Sequence, residues 1–498
     1  MSLTCKWRAL PFIALQALLL IVGCAVGPNY RKPAAPDVSD YTAHPVLNTV
    51  TTANVQGGEA QRFANGSDVV GDWWTLFHSQ PLNELIDQSL ANSPDLKSAQ
   101  AALLVARENV LAQRGAYYPS VTASFSASRQ RQSGQLAPTP NSNDFLYDLF
   151  TPQVGVSYVP DVFGLNRRTV ESLKAQEQQV RFQMIATYTT LTANVVVTAI
   201  QRGSLQMQID ATRQLIDINS SMLQILQDQF AKGYVSRLDV AAQESQLAQV
   251  TATLPPLIKQ SAQTSDLLAV LAGRFPNQAV ADQFELSSLQ LPQELPVSLP
   301  SELVAQRPDV LQAEANLHAA SAKIGIAEAN RLPSITLTAD AGSTALAIDQ
   351  LFSRGTGFWG VGAAATAPLF QGGTLLHQER AAKAAYVQAS EQYRSTVLIA
   401  FQNVADTLTA LEQDAEALTT AATAANAADV ALDLARRQWQ DGYAGYLAVL
   451  NAEQSYQQTR ISFIQAQANR YADTAALFQA LGGGWWHHAD LANDIREK

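Results

Sequence analysis

The chain has 498 residues, of which 47% are hydrophobic and only 15% are charged, with 33 basic and 43 acidic side chains. The net charge of −10 gives no support to nucleic-acid binding, which relies on a basic surface. Both cysteines, Cys5 and Cys24, lie near the amino terminus, which excludes a disulfide framework in the body of the chain.

The amino terminus predicts a targeting segment. A short basic region precedes an apolar stretch over residues 11–23, which is too short to span a bilayer as a helix. The small residue directly before Cys24 resembles a bacterial lipoprotein processing site. We therefore expect residues 1–23 to be a removed signal peptide and Cys24 to be lipid-modified. An ordinary signal peptide with a chance cysteine is the alternative. If Cys24 is lipid-modified, we expect residues 25–33 to form a flexible tether.

The next part of the chain predicts an irregular extension followed by two helices. Residues 24–71 form the extension, in which 34–71 are rich in Pro, Thr, Val, Gly and Asn and are expected to drape over the body. Apolar residues at helical spacing then predict a helix ending near Asn92. Ser93 is a suitable cap for a second helix, which is predicted to run to about Tyr117.

At Pro119 the hydrophobic period changes from helical to alternating, which predicts strands. The expected strands cover about 120–130 and 152–159 in the first half and about 334–343 and 357–367 in the second. We expect a polar loop over Gln130–Phe150 between the first two. Ten residues is bilayer-spanning length for a tilted strand, yet the smallest membrane barrels need about eight strands. If these hairpins enter a membrane, several chains must pool them; two soluble hairpins packed on the helices are the alternative.

Long stretches without proline predict unusually long helices. The first runs from about Leu165 to Ala231, which corresponds to roughly 100 Å at 1.5 Å per residue. It ends at Gly233, and Ser236 is a natural cap for the returning helix. A second long helix is predicted over about 374–440, and Pro255-Pro256 is expected to divide the first return helix. The predicted seam of the first long helix is Leu215, Ile218, Met222 and Ile225.

The sequence contains an internal duplication. The positions Gly233, Tyr234, Leu238, Val240 and Glu244 recur 209 residues later, and Pro119-Ser-Val-Thr122 recurs 214 residues later with one conservative change. We therefore expect two similar halves, 72–298 and 299–482, followed by a frayed tail over 483–498. The period is far longer than that of a solenoid repeat.

Several motifs occur together in this chain. They are Cys24-Ala-Val-Gly-Pro-Asn-Tyr, Trp73-Trp74-Thr-Leu-Phe77, Ser93-Pro94-Asp95-Leu96, Pro160-Asp-Val-Phe-Gly164 and Arg307-Pro308-Asp309-Val310, together with the Gly233 and Gly442 turns. By this set the chain resembles the TolC-like outer membrane efflux protein family, and more narrowly the NodT-type lipoproteins of resistance–nodulation–division systems.

The resemblance implies a mainly α-helical protein with membrane β-strands. In this family a homotrimer pools four strands per chain into a 12-stranded outer-membrane barrel above a long-helix α-barrel that extends into the periplasm. The resemblance also implies an acyl group such as palmitate on Cys24 and contact with outer-membrane lipid.

Further residues are assigned by the same resemblance. The adaptor-contact tips correspond to Gly233, Tyr234, Val235, Ser236, Gly442, Tyr443, Ala444 and Gly445, which would meet a periplasmic adaptor (membrane fusion) protein. Leu447 falls at the leucine ring of the periplasmic gate. Asn451 replaces the family's aspartate, so an acidic constriction there is not implied, although Asp239 can supply charge nearby. An inner-membrane resistance–nodulation–division pump would supply energy.

The residues do not suggest an enzyme. The six histidines lack metal-ligand spacing, and the chain has neither a phosphate loop nor a nucleophile elbow. We therefore expect no cofactor and no metal. The favoured function is the outer-membrane channel of a tripartite system that exports drugs or other toxic small molecules. A type I protein-secretion channel and a non-conducting, lipid-anchored periplasmic coiled-coil scaffold are the alternatives.

Overall fold

The computed structural model describes residues 25–44, 47–131, 146–278 and 284–492. The described α-helices are α1 (Gln80–Asn92), α2 (Pro94–Arg114), α3 (Leu165–Ala231), α4 (Arg237–Leu271), α5 (Pro300–Gln306), α6 (Pro308–Ala329), α7 (Thr374–Gln440), α8 (Tyr446–Ala480) and α9 (Ala489–Ala492). The described strands are β1 (Arg62–Asn65), β2 (Ser120–Arg131), β3 (Leu146–Tyr158), β4 (Glu294–Val297), β5 (Ser334–Ser343) and β6 (Gly357–Thr366).

The chain divides into two compact units. Of the described residues, the first unit comprises 25–33, 102–131, 146–180 and 313–393. The second comprises 34–44, 47–101, 181–278, 284–312 and 394–492. Among the described residues, no helix combines the length and the apolar character needed to cross a membrane.

The first unit contains an antiparallel sheet of order β2-β3-β5-β6. The alternation of apolar and small polar residues, which predicted the strands, gives the sheet one apolar face. β3 begins at Leu146, so the expectation of a loop up to Phe150 was wrong for its last residues. Leu146 pairs with Arg131 because the hairpin ladder continues beyond the alternating stretch. Residues 132–145 lie outside the described chain.

The segment 25–33 is held in place, and the expectation of a flexible tether was wrong. The Val26 amide donates to the Phe163 carbonyl at 3.0 Å. The buried guanidinium of Arg168 donates to the carbonyls of Val26 and Gly27, both at 3.0 Å. A charged donor makes strong hydrogen bonds to backbone carbonyls. The sequence could not predict these bonds, because backbone acceptors are not specified by the side-chain pattern.

In the second unit, α4 is continuous, so the expectation that Pro255-Pro256 divides it was wrong. A proline inside a helix removes a hydrogen bond and costs about 3 kcal/mol or more. Packing on both sides of the pair offsets this cost, because Val250 before it and Leu268 after it are fully buried. Tertiary contacts therefore override the local preference at this point.

The expected frayed tail is ordered as far as Ala492. Trp485 is buried, and its indole donates to the Gln306 carbonyl at 2.7 Å. The Arg181 guanidinium donates to the Leu491 carbonyl at 2.5 Å. These contacts hold the carboxyl-terminal segment against the helices of the same unit, while residues 493–498 lie outside the described chain.

A buried arginine ties the extension to α8. Arg470 is fully buried, and one of its terminal nitrogens donates to Thr49 Oγ1 at 3.1 Å, to the Glu59 carbonyl at 2.6 Å and to Gln61 Oε1 at 3.3 Å. Asp414 of α7 lies close enough to act on this guanidinium electrostatically. A buried charge is tolerated when hydrogen bonds and opposite charges compensate it.

This cluster predicts a pH-dependent stability. Burial first, then a hydrogen bond and charge repulsion from Asp473, raise the pKa of Asp414 to about 7, while Arg470 opposes the shift. The folded state therefore binds this proton more tightly than the unfolded chain. The free energy of unfolding should fall as the pH rises between about 4 and 7.

We expect a lower melting temperature at about pH 8 than at about pH 5 in detergent, and a smaller difference in Asp414→Asn. Asp406→Asn changes an exposed carboxylate of the same helix and should keep the wild-type difference. A pH dependence that Asp414→Asn leaves unchanged would show that this carboxyl is not its source.

Candidate functional site at the helix tips

The two long helices end in matching turns. Gly233 and Gly442 have φ values of 77° and 78°, in the left-handed region that only glycine adopts without strain. Their amides donate to the carbonyls of Phe230 at 2.9 Å and Trp439 at 3.1 Å, which closes each helix end.

The predicted tip residues surround these glycines. Tyr234 is 77% exposed and Tyr443 is 86% exposed. The turns therefore present bare aromatic rings to their surroundings.

The helices that follow the turns begin differently. Ser236 and Asp239 form a capping box at the start of α4: the Asp239 amide donates to Ser236 Oγ at 3.2 Å, and the Ser236 amide donates to the Asp239 carboxylate at 2.9 Å. The equivalent cap of α8 is Gly445, which has no side chain to bond. The start of α8 therefore lacks the two hydrogen bonds that fix the start of α4.

An apolar cluster lies directly behind the turns. Its buried members lie on α3, α4 and α8. They are Met222, Leu226, Val240, Tyr446 and Val449. Trp439 of α7 packs against the cluster, with its ring centroid 5.4 Å from that of Tyr446. The tip is thus one packed body in which all four helices share side-chain contacts.

A chain of hydrogen bonds crosses this body. The Tyr446 hydroxyl donates to Gln243 Oε1, and the Gln243 amide donates to the Asn219 carbonyl at 2.9 Å and to Asn219 Oδ1 at 3.0 Å. The Asn219 amide donates in turn to the Leu215 carbonyl at 2.8 Å. These three buried side chains join α8, α4 and α3, and sequence reasoning missed them.

The predicted seam of α3 was partly wrong. Its buried positions are Leu215, Asn219, Met222 and Leu226, whereas Ile225 is 44% exposed. The polar Asn219 occupies a seam position because its hydrogen bonds are satisfied there. In the sequence, the signal for this buried site was a single polar residue, Asn219, at regular helical spacing among apolar residues.

A buried ion pair joins α7 and α8. Arg436 donates to Glu453 Oε1 at 2.9 Å, and Glu453 is 1% exposed. Burial raises the pKa of Glu453, and the hydrogen bond and charge of Arg436 oppose the shift. The repeat-equivalent residue Glu244 forms a longer, exposed pair with Arg237 at 3.6 Å. Breaking a buried pair is strongly destabilising. This pair therefore restrains the second tip, the turn at Gly442 between α7 and α8.

The residues predicted to form the gate lie at the starts of the two returning helices, Asp239 on α4 and Leu447 and Asn451 on α8. Leu447 is 69% exposed, and its repeat equivalent Leu238 is 76% exposed. Asn451 is also exposed. The carboxylate of Asp239 is engaged in capping α4.

A cavity of about 560 Å³ opens between the two turns. Its lining includes most of the predicted tip residues, together with Asp239, Gln229, Trp439, Gln440 and Tyr446, but not Leu447 or Asn451. Of the predicted gate residues, Asp239 therefore lines the same cavity as the tip residues, whereas Leu447 and Asn451 do not.

Two further expectations concern sites of other kinds. Cys24, the predicted lipidation site, lies outside the described residues. Across 25–44, 47–131, 146–278 and 284–492, no group of three or more His, Cys, Asp or Glu side chains is arranged to hold a metal ion.

A long-helix body with paired tips and a four-stranded sheet defines a class of outer-membrane channel. Residues 85–274 and 299–483 match the outer membrane efflux protein family. The toluene efflux pump outer membrane protein TtgC of Pseudomonas putida is 29% identical, covering 98% of each chain. The pyoverdine export outer membrane protein OpmQ of Pseudomonas aeruginosa is 30% identical over 85% of this chain and 89% of its own.

The fold comparison agrees. The crystal structure of the outer membrane protein VceC from Vibrio cholerae has a TM-score of 0.77 at 26% identity, covering 83% of this chain and 99% of its own. The chain belongs to the outer membrane efflux protein family. It is an outer-membrane channel component of an efflux system, and it extends into the periplasm. The family resemblance and the TolC-like fold expected from the sequence are confirmed.

The tip network predicts a local effect of Tyr446→Phe. Removing the hydroxyl leaves the buried Oε1 of Gln243 without its donor, which costs about 1–3 kcal/mol. Amide hydrogen exchange at the start of α8 should therefore accelerate by roughly tenfold or more, provided that this region opens locally. Tyr443→Phe removes an equal hydroxyl from an exposed ring and should leave the exchange unchanged. Equal exchange in the two variants would contradict a restraining role for the network.

Proposed function

We propose that three copies of this chain form one export channel by pooling their strands into a 12-stranded barrel. The observation that carries this proposal is the open sheet. In the described chain, β2 and β6 are the edges of a four-stranded sheet. Unpaired backbone groups are not tolerated in lipid, so strands from further copies must cover these edges.

The exposed face of the sheet supports insertion into lipid. The strand registers place one set of large apolar side chains on a single face, each between 41% and 79% exposed: Val121, Phe125, Val154, Leu337, Trp359 and Val361. An exposed apolar patch of this kind marks a surface that meets a membrane or a partner. The opposite face carries small polar residues such as Thr122 and Ser124, which suit a water-filled lumen.

The proposal includes two partners. A periplasmic adaptor protein would dock on the tip turns, where Tyr234 and Tyr443 offer exposed aromatic rings. Aromatic residues are enriched at protein interfaces. An inner-membrane resistance–nodulation–division pump would supply the energy, and the chain would act as a passive conduit, since its sequence contains neither a phosphate loop nor a nucleophile elbow.

The proposed arrangement also includes the processing of the chain. Residues 1–23 are removed, Cys24 is acylated, and two repeats over 72–298 and 299–482 follow the anchored extension. The proposed cargo is small toxic organic compounds. The support comes from relatives whose names specify toluene, antibiotics and solvents.

Conductance tests this function. Purified full-length protein should insert into planar lipid bilayers and produce ion-conducting steps, and unboiled samples should run as heat-modifiable trimers in gels. Protein that reaches the outer membrane as stable trimers but never conducts would favour the scaffold alternative.

The proposed gate gives a separate prediction. Leu447→Ala shortens an exposed side chain at the predicted constriction and should raise the single-channel conductance, whereas Leu447→Ile should leave it unchanged. In the proposed trimer, Asn451→Asp would place three carboxylates near the channel axis. Their negative charges should bind cations and so increase the cation selectivity of the channel. Unchanged conductance in Leu447→Ala would rule out a gate at this position.

A further inference from the structure

One face of β2 changes its chemical character along the strand. Positions 121, 123, 125 and 127 are Val, Ala, Phe and Ala, and the next two positions in the same alternation are Arg129 and Arg131. Side chains two residues apart in a strand point to the same side of the sheet. The two arginines therefore lie on the face that carries Phe125 and Trp359, and not on the face with the small polar residues.

The neighbouring strand β3 follows the same order. Its apolar residues on this face pair with positions 121–127 of β2, and the last of them, Phe150, pairs with Ala127. Beyond that pair, Asp148 lies opposite Arg129, and Leu146 lies opposite Arg131. The first four pairs on this face are therefore apolar, and its charged side chains occur only near the hairpin end.

The hairpin end lies away from the helices. α2 precedes β2 and α3 follows β3, so both helical connections lie at the end of the sheet where Ser120 pairs with Ser157. The helical part of this channel class extends into the periplasm. In the proposed barrel, Arg129 and Arg131 therefore stand on the side of the outer leaflet.

The height of the two arginines matches the thickness of the membrane. A strand rises about 3.3 Å per residue and is tilted by about 40° in a membrane barrel. Arg129 therefore lies roughly 20 Å above Val121, and Arg131 lies roughly 25 Å above it. The apolar band of such barrels is about 25 Å tall. The guanidinium groups thus reach the upper boundary of the hydrocarbon, where the phosphate groups of the outer leaflet begin.

The positive charge at this height is only partly compensated. Arg129 Nε lies 3.7 Å from Asp148 Oδ1, and their side chains are 69% and 45% exposed. An exposed pair at this distance is weak. Arg131 is exposed and has no ion-pair partner among the described residues. The two guanidinium groups start about 7 Å apart on one face and repel each other, so an anion beside them would relieve the repulsion.

We propose that Arg129 and Arg131 bind the phosphate groups of outer-leaflet lipids. A guanidinium group can donate two parallel hydrogen bonds to one phosphate, and basic side chains at a membrane surface attract anionic head groups. The apolar residues directly below the arginines would contact the acyl chains of the same lipid. The inference rests on the proposed function in one respect, namely that the sheet spans the outer membrane.

The position of the arginines favours a lipid over other phosphate-bearing molecules. They point sideways from the sheet, on the same face as Val121 and Phe125, and not into the lumen. A molecule that reaches them must lie beside the barrel, at the level where lipid head groups are packed. Free phosphate lacks the acyl chains that would contact the apolar residues below, so it should bind far more weakly.

Lipid retention tests this site. Full-length protein in mild detergent would be mixed with bisphosphorylated lipid A or with its dephosphorylated form, and the bound lipid would be counted by native mass spectrometry. At low salt, Arg129→Gln/Arg131→Gln should bind the phosphorylated lipid roughly thirtyfold more weakly, which is about fivefold for each arginine. The dephosphorylated lipid should bind equally weakly to this variant and to the wild-type protein.

Three further variants identify the chemistry of binding. Arg107→Gln removes an exposed arginine of α2 and should leave lipid retention unchanged. Asp148→Asn removes the carboxylate that competes for Arg129 and should increase retention. Arg129→Lys/Arg131→Lys keeps the charge without the forked donor and should give intermediate retention. If the glutamine pair does not form trimers, the lysine pair should still show this partial loss.

The outcomes separate the lipid site from the channel. Equal retention by wild-type protein and Arg129→Gln/Arg131→Gln, or an equal loss in Arg107→Gln, would overturn the site, as would full displacement of the lipid by inorganic phosphate. A glutamine variant that loses the lipid and still conducts would support the site and leave the channel standing. Wild-type protein that retains the lipid but never conducts would support the site and contradict the proposed function.

Discussion

A β-sheet in lipid must pair every strand, because no water is present to bond the backbone groups of a bare edge. In the described chain, β2 and β6 are such edges, and the large side chains on one face of the sheet are exposed. The fold of one chain is therefore incomplete in the environment for which its surface is built. In the proposed trimer, strands from further copies would satisfy these hydrogen bonds.

The duplication places equivalent residues of the two repeats in different environments. Ser172 and Ala381 are 209 positions apart, yet in the described chain Ser172 is buried and Ala381 is exposed. The repeats have also diverged at the tips. Ser236 caps the start of α4, whereas Gly445 provides no cap for α8. The second tip instead depends on buried side chains such as Tyr446 and Glu453, and these are the contacts that an opening motion would have to change.

The elements that were predicted correctly are those determined by the local sequence pattern. Uninterrupted helical spacing predicted α3 and α7, alternation predicted the four strands, and Gly233 marked a turn that needs a positive φ. The errors arose where distant parts of the chain decide the structure. Packing around Pro255-Pro256 preserves a helix that local chemistry would break, and Arg168 binds backbone carbonyls of the amino-terminal segment, which no pattern of side chains can signal. The tip network was hidden for a similar reason, since Asn219 is a polar residue whose partners lie on other helices.

The central claim is that one chain supplies only part of a pore. Native mass spectrometry of the full-length protein, released from mild detergent, measures this most directly. The account predicts a single assembly with the mass of three chains and their attached lipids. A stable, fully folded monomer under the same conditions, with no larger species, would contradict it.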